Sequence, residues 1–335
     1  MLAPLKELVR DSRLTAPAYA RFRSWWKDRA HVEAAQRAWR ELGRPDAILA
    51  YGYAPGDDLL CTIAARELQR RRHRRLLMLS NYPQLFAHNR DITAVHPYSD
   101  ALAATLHRPE IPFFRLNYAD YSTVTDAHTS PKIHIAAEMC RHAQLQGEIT
   151  LRPYVFLTPD EIQSGRRTTT PPVVMISSGL NSRHPMLNKE WPSGRFQEVA
   201  AGLASDFPII QLGLPNDPPL PNALDLRGRT TLREAAAILH QAALYVGPVG
   251  FLMHLARAVD CPAVIVYGGR EKPWQSGYSG NLNLGSDMPC SPCWKWNTCD
   301  YQRACLDHIS VANVLDAARA RLAAPRSLIE DTATI

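Results

Sequence analysis

Hydrophobic positions along this chain fall into two alternating patterns. Short continuous apolar runs are followed by longer stretches in which apolar residues recur every three or four positions. The first pattern fits buried strands and the second fits helices packed on a sheet. "DAILAYGY" (46–53) is a strand, "APGDD" a turn, "LLCTIAARELQRRRHRR" a helix and "LLMLS" a strand. That order is a βαβ unit and implies a parallel sheet. Weaker units continue through "HIAAEMCRHAQLQG".

Residues 151–171 are rich in proline and polar side chains, lack periodicity and read as a linker. A second series then begins. Strands are expected in "PVVMISSG", "FPIIQLG", "ALYVG" and "CPAVIVYGG". Helices are expected in "SGRFQEVAAGLASD", "TLREAAAILHQA", "GFLMHLARAVD" and "VANVLDAARARLAA". The chain is therefore expected to be α/β, with two Rossmann-like domains facing a cleft. Their spans are 44–155 and 172–320, preceded by a helical extension over 1–43 rich in Ala, Arg and Trp. Ligands of such sheets bind where strands end and the next helices begin.

Composition sharpens this picture. The 335 residues include 46% hydrophobic and 21% charged positions, enough for substantial cores. The net charge of +6 suits an anionic ligand or a phosphate-bearing membrane surface. The first residues lack the apolar core of a signal peptide, and no run approaches the ~18 apolar residues of a membrane span. The expectation is a cytoplasmic protein with peripheral contact at the inner membrane.

Four strand-to-helix turns or loops carry candidate chemistry. In "YAPGDDLL", Asp57 and Asp58 sit where a helix begins. Carboxylates there cap free N–H groups, and one of them facing the cleft would also serve as a general base. In "SSGLNSRHPMLNKEWP", Ser177, Ser178 and Gly179 offer hydroxyl and N–H groups to a phosphate, with charge from Arg183 and Lys189. Standing alone, the same stretch reads first as a solvated loop. Gln211, ending the strand of "FPIIQLG", is counted with the ligand contacts.

The third place is "GPVGFLMHLA". A helix head behind Gly250 leaves N–H groups unpaired and attracts anions. Gly250, Phe251, Leu252, Met253 and His254 are its candidate contacts. A histidine among such apolar neighbours also reads as a core residue. The fourth place is "CSPCWKWNTCDYQRAC", in which Cys290, Cys293, Cys299 and Cys305 have C-x2-C-x5-C-x5-C spacing. Four thiolates suit a structural, tetrahedral zinc or a single iron; alternatively they are free thiols in a packed loop.

Taken in order, these segments resemble glycosyltransferase family 9, the heptosyltransferase-like enzymes of the GT-B fold. The similarity runs over 47–320 and rests on "PGDDLLCTIAAREL", "LNKEWP", "LDLRGRTTLREAAAILHQAALYVG", "YVGPVGFLMHLARAVDCPAVIVYGG" and the cysteine-bearing tail. The resemblance implies inverting transfer of a sugar, heptose foremost, from a nucleotide sugar such as ADP-heptose. The acceptor would be a glycan, a lipid-linked molecule such as lipopolysaccharide, or a protein. It implies Asp57 as the base and Lys189 beside the donor phosphates, with Gly250 to His254 as the phosphate loop. The acid that often precedes that loop in the family is Val249 here.

The donor half has no DxD-like motif, so no cofactor is assigned to catalysis. Two other functions share some of these features. A sugar-nucleotide epimerase would use the same fold without an acceptor. A nucleic-acid-binding zinc protein would use "RRRHRR" (70–75) and the cysteines, but that run lacks interleaved aromatics and stands at a helix end where cations are favoured anyway. Nucleic acid is therefore not expected as a partner.

Overall fold

In the computed structural model the described residues are 29–37, 39–40, 43–71, 75–180, 182–326 and 330–335. Most of the predicted N-terminal extension, and the centre of "RRRHRR", lie outside them. Residues 29–37 and 39–40 are helical, and Val32, Ala35 and Trp39 pack on one face of the first sheet.

The first sheet begins with β1 (Ala47–Ala50), whose residues are all buried. Helix α1 (Pro55–Arg71) follows, then β2 (Leu76–Leu79), β3 (Ala94–His96) and β4 (Phe113–Arg115). All pairings are parallel and the strand order is β3-β2-β1-β4. The order reverses between β1 and β4, so the crevice of this lobe opens there. Helix α1 starts inside the "APGDD" turn expected before it, which puts Asp57 and Asp58 in its first turn. A hairpin, β5 (Tyr121–Ser122) with β6 (Ala127–His128), precedes helix α2 (Ile135–His142) and the short strand β7 (Glu148–Thr150).

The link between the lobes contains a helix over Pro159–Ser164, capped reciprocally by Thr158 and Glu161. The sequence "TPDE" carries that capping box. The second sheet has the parallel order β10-β9-β8-β11-β12-β13. Its strands are β8 (Val173–Met175), β9 (Ile209–Gln211), β10 (Ala223–Asp225), β11 (Leu244–Pro248), β12 (Ala263–Val266) and β13 (Leu282–Leu284). Helices α3 (Ser193–Leu203), α4 (Leu232–Gln241), α5 (Phe251–Ala258) and α6 (Val311–Ala323) cover it. Here the order reverses between β8 and β11, which is the strand order of a dinucleotide-binding sheet.

One continuous apolar core joins the lobes. It contains Leu59, Ile63 and Ala136 from the first lobe, and Tyr245, Met253 and Ala256 from the second. After α6 the chain returns to the first lobe as β14 (Thr332–Thr334), antiparallel to β7.

Candidate functional site

The helix that follows β1 and the helix that follows β11 meet at their heads, where Gly56 packs on Phe251. From β8 the chain leaves through Ile176 to Gly179, and from β11 through Pro248 to Gly250. Between these exits lies a cleft cavity of about 410 Å³, lined by Ser178, Gly179, Lys189, Gly250, Phe251 and Leu252 among others. Pro55, at the head of α1, closes it from the opposite lobe.

Helix α5 begins at Gly250 with no side-chain cap, so its first N–H groups point toward this space. Gly250 itself is extended, with φ of 163°, and a Cβ built on it meets nothing within 4 Å. The glycine therefore leaves room rather than relieving strain.

The two adjacent acids of α1 have different surroundings. Asp58 is buried: it accepts the Gly52 N–H at 2.7 Å and the Ser80 hydroxyl, and so pins the loop after β1. Burial raises its pKa to about 7. Asp57 is half-buried and accepts the Tyr51 hydroxyl at 3.0 Å. Burial raises its pKa, opposed by hydrogen bonds from Tyr51 and Tyr118 and by the charge of Lys189. Tyr118 follows β4, so Asp57 sits at the reversal of its own sheet.

Lys189 ends a 3-10 turn over Leu187–Lys189. The turn is tied to the cysteine loop: the Asn188 N–H reaches the Trp296 carbonyl at 3.0 Å. The Asn188 side-chain amide donates to the carbonyls of Lys295 at 3.2 Å and Thr298 at 2.9 Å. Burial lowers the pKa of Lys189, against the attraction of its ion-pair partner Glu271. Glu271 was not singled out in the sequence, and "REKPW" offers no signal beyond its place just after a strand that ends in two glycines.

Other expected contacts stand elsewhere. Arg183 is exposed, with its neighbours Ser182 and His184 on the cavity wall. Gln211 is fully buried and bonds the Ser177 hydroxyl, the Pro218 carbonyl and the Leu220 N–H, which makes it a brace of the wall. Met253 points into the core, where its sulfur accepts the Tyr267 hydroxyl at 3.3 Å. His254 is buried against the Tyr278 hydroxyl at 2.7 Å, and burial lowers its pKa to about 3. It is a neutral packing residue behind the helix head. Helical geometry separates them from the first two residues of α5: Met253 turns into the core beside Tyr267, and His254 turns toward Gly56 at the head of α1.

The Gly179 N–H, read as a phosphate donor, is taken by the Glu190 carboxylate at 2.9 Å. Ser178 also bonds Glu190, whose pKa burial raises.

Cys290, Cys293, Cys299 and Cys305 are free thiols. They are electrostatic neighbours: after burial, Cys290 and Cys305 act on Cys293. Among the described residues, however, no three or more His, Cys, Asp or Glu side chains are gathered to hold a metal. Each sulfur has a local setting instead. Cys299 accepts the Arg303 N–H at 3.3 Å, and Cys305 lies against Gly269, where a Cβ would come within 3.1 Å of the sulfur.

The comparisons with known proteins bear on this cleft. Residues 158–302, which supply the cavity's second wall and part of the cysteine loop, match glycosyltransferase family 9 (heptosyltransferase). This segment is of glycosyltransferase family 9. Lipopolysaccharide heptosyltransferase 1 of Pseudomonas aeruginosa PAO1 is 34% identical over 133 residues, which are 38% of this chain and 31% of that protein. The match thus spans under a third of that relative's length.

Two solved structures share the two-lobed fold over most of this chain. A family 9 glycosyl transferase from Veillonella parvula DSM 2008 has a TM-score of 0.61 at 15% identity, covering 83% of this chain and 97% of that one. TibC of enterotoxigenic Escherichia coli H10407, an iron-containing dodecameric glycosyltransferase, has a TM-score of 0.64 at 19% identity, covering 83% and 76%. TibC has also been solved with ADP-D-beta-D-heptose, and that chain aligns at a TM-score of 0.64 and 18% identity over the same shares. The architecture is GT-B, with the family 9 segment as its C-terminal lobe.

Proposed function

We propose that the protein is an inverting glycosyltransferase that moves a heptose from ADP-heptose to a hydroxyl of a lipopolysaccharide-type glycan. One observation carries this reading: Asp57 from one lobe lies within electrostatic reach of Lys189 from the other, and its neighbour Gly56 packs on the uncapped head of α5. The names of the P. aeruginosa relative and of the TibC complex support the choice of heptose and of ADP.

In this reading the donor diphosphate lies on the N–H groups of Phe251 and Leu252, in the space that Gly250 leaves. Asp57 takes the proton of the acceptor hydroxyl. That oxygen forms a bond to the anomeric carbon from the face opposite the diphosphate. The carbon–oxygen bond to the phosphate breaks, and its electron pair leaves with ADP. Lys189 offsets the charge that grows there, an electrostatic role commonly worth about 3 kcal/mol of barrier. His254, being neutral and internal, takes no proton.

We read the four cysteines as a structural metal clasp that steadies the Lys189 turn, supported by their C-x2-C-x5-C-x5-C spacing and by the bonds from Asn188 to their loop. The place of work is the cytoplasmic face of the inner membrane, a reading supported by the basic charge balance and the lipid-linked acceptor.

The decisive experiment is calorimetry with ADP, GDP, UDP and CDP, followed by incubation with ADP-heptose and a heptose-deficient lipopolysaccharide core. ADP binding and transfer to the core are expected. Failure of all four nucleotides to bind, or conversion of ADP-heptose to an isomer without acceptor, would refute the assignment.

A further inference from the structure

Glu271 is 3% exposed, as is Arg270 beside it. An internal carboxylate is tolerated when cations compensate it, and here two do. Arg270 Nη1 donates to Glu271 Oε1 at 3.1 Å, and Lys189 forms an ion pair with the same carboxylate. Burial opposes ionisation of Glu271, but Lys189 and Arg270 outweigh it and hold the pKa at about 2.

Arg270 has other anchors. It reaches His128 Nδ1 at 3.1 Å and lies 4.6 Å from the centroid of the Trp294 ring. Glu271 is thus fixed from behind, and Lys189 is fixed by Glu271. Asp57, from the other lobe, lies within electrostatic reach of both.

A lysine ammonium is a point charge on a flexible stem and finds its position only from its partners. Freed of Glu271, it would settle fully on a bound diphosphate and hold substrate and product equally. Such uniform binding does not speed the chemical step.

We propose that Glu271 is a positioning residue. It aims Lys189 between the α5 head and Asp57, and its charge restrains the grip of the site on the nucleoside diphosphate so that product leaves. This rests on the transfer reading given above.

The test uses Glu271→Gln, which keeps the shape and removes the charge. ADP is expected to bind about ten-fold more tightly by calorimetry, while kcat for transfer falls about ten-fold, so KM for the donor and kcat drop together. In a Lys189→Met background, adding Glu271→Gln is expected to leave ADP affinity unchanged within two-fold. A carboxylate with only a structural part would lower Tm and raise KM.

Folded Glu271→Gln that binds ADP no more tightly than the unaltered protein overturns the inference. Should that variant not fold, Glu271→Asp decides. It retains the charge on a shorter stem, so kcat is expected to fall with ADP affinity kept, and full kcat overturns the proposal. Absence of nucleotide binding by the unaltered protein refutes instead the transfer function beneath it.

Discussion

The Cβ that Gly56 lacks would stand 3.4 Å from the Cα of Phe251 and 3.7 Å from the His254 ring. The heads of α1 and α5, from opposite lobes, therefore meet at van der Waals contact. Both helix ends are electropositive and both border the same cleft. Asp57 is the next residue after Gly56, so the contact that joins the lobes also brings the carboxylate near the electropositive end of α5.

Asp57→Asn is expected to lower transfer by about 10²- to 10⁴-fold, the range for loss of a general base. ADP affinity by calorimetry is expected to stay within two-fold, since the proposed diphosphate contacts lie in the other lobe. Asp57 is faced by Tyr51, Tyr118, Lys189 and Glu271, with Asp58 and Cys61 on its own helix, and its pKa is raised, mainly by burial. The acid limb of the kcat/KM profile is therefore expected above the ordinary Asp value of 3.8. A limb at that ordinary value would count against Asp57 as the base.

Gly250→Ala separates folding from binding. The added methyl meets no protein atom within 4 Å, and the backbone there is extended. Stability is expected to change by less than about 0.5 kcal/mol, as at an open surface position. The methyl enters the space assigned to the diphosphate, so ADP affinity is expected to fall at least ten-fold. Unchanged affinity would place the diphosphate elsewhere.

Asp58 gives a pH signature of folding. Its folded-state pKa of about 7 lies above the ordinary 3.8. Its contribution is therefore fully present below pH 3.8 and is lost as pH rises through about 7. The loss is about 4 kcal/mol. Asp58→Asn keeps the acceptor for the Gly52 N–H and does not titrate. Between pH 4 and pH 8, denaturant unfolding is expected to show the unaltered protein losing stability relative to this variant. Parallel curves would mean that Asp58 titrates normally.

The cysteine loop makes a compositional prediction. Elemental analysis of the purified protein is expected to find about one zinc or iron per chain, the content of a closed four-thiolate site. Cys293→Ser is expected to abolish it and to lower transfer through the loosened Lys189 turn. Metal-free protein with full activity would leave the four thiols as packing residues.

The strands of the sheet centres were plain in the sequence, because "AILA", "LYVG" and "AVIV" are buried on both faces and read as unbroken apolar runs. The α5 head was legible from its glycine and its position after a strand. Asp57 and Asp58 were indistinguishable by pattern, since the choice between cleft and interior depends on Ser80 and Tyr118, far along the chain. Glu271 was silent for the same reason: its partner Lys189 comes from another turn, and a lone acid in a charged loop resembles any solvated residue. His254, Met253 and Gln211 looked like site residues by adjacency, and the faces of α5 and β9 turned them inward. β14 left no trace, because three residues of Thr-Ala-Thr form a strand only through a partner distant in sequence.

That last strand has a mechanical result. β14 is joined to β7 through Leu151 N–H to the Asp331 carbonyl at 2.8 Å, and reciprocal bonds of 2.8 and 3.0 Å link Gly147 and Ile335. The polypeptide passes between the lobes twice, and the second passage is stapled beside the first. The backbone therefore holds the lobe of Asp57 to that of α5 at two neighbouring places, in addition to the apolar core they share.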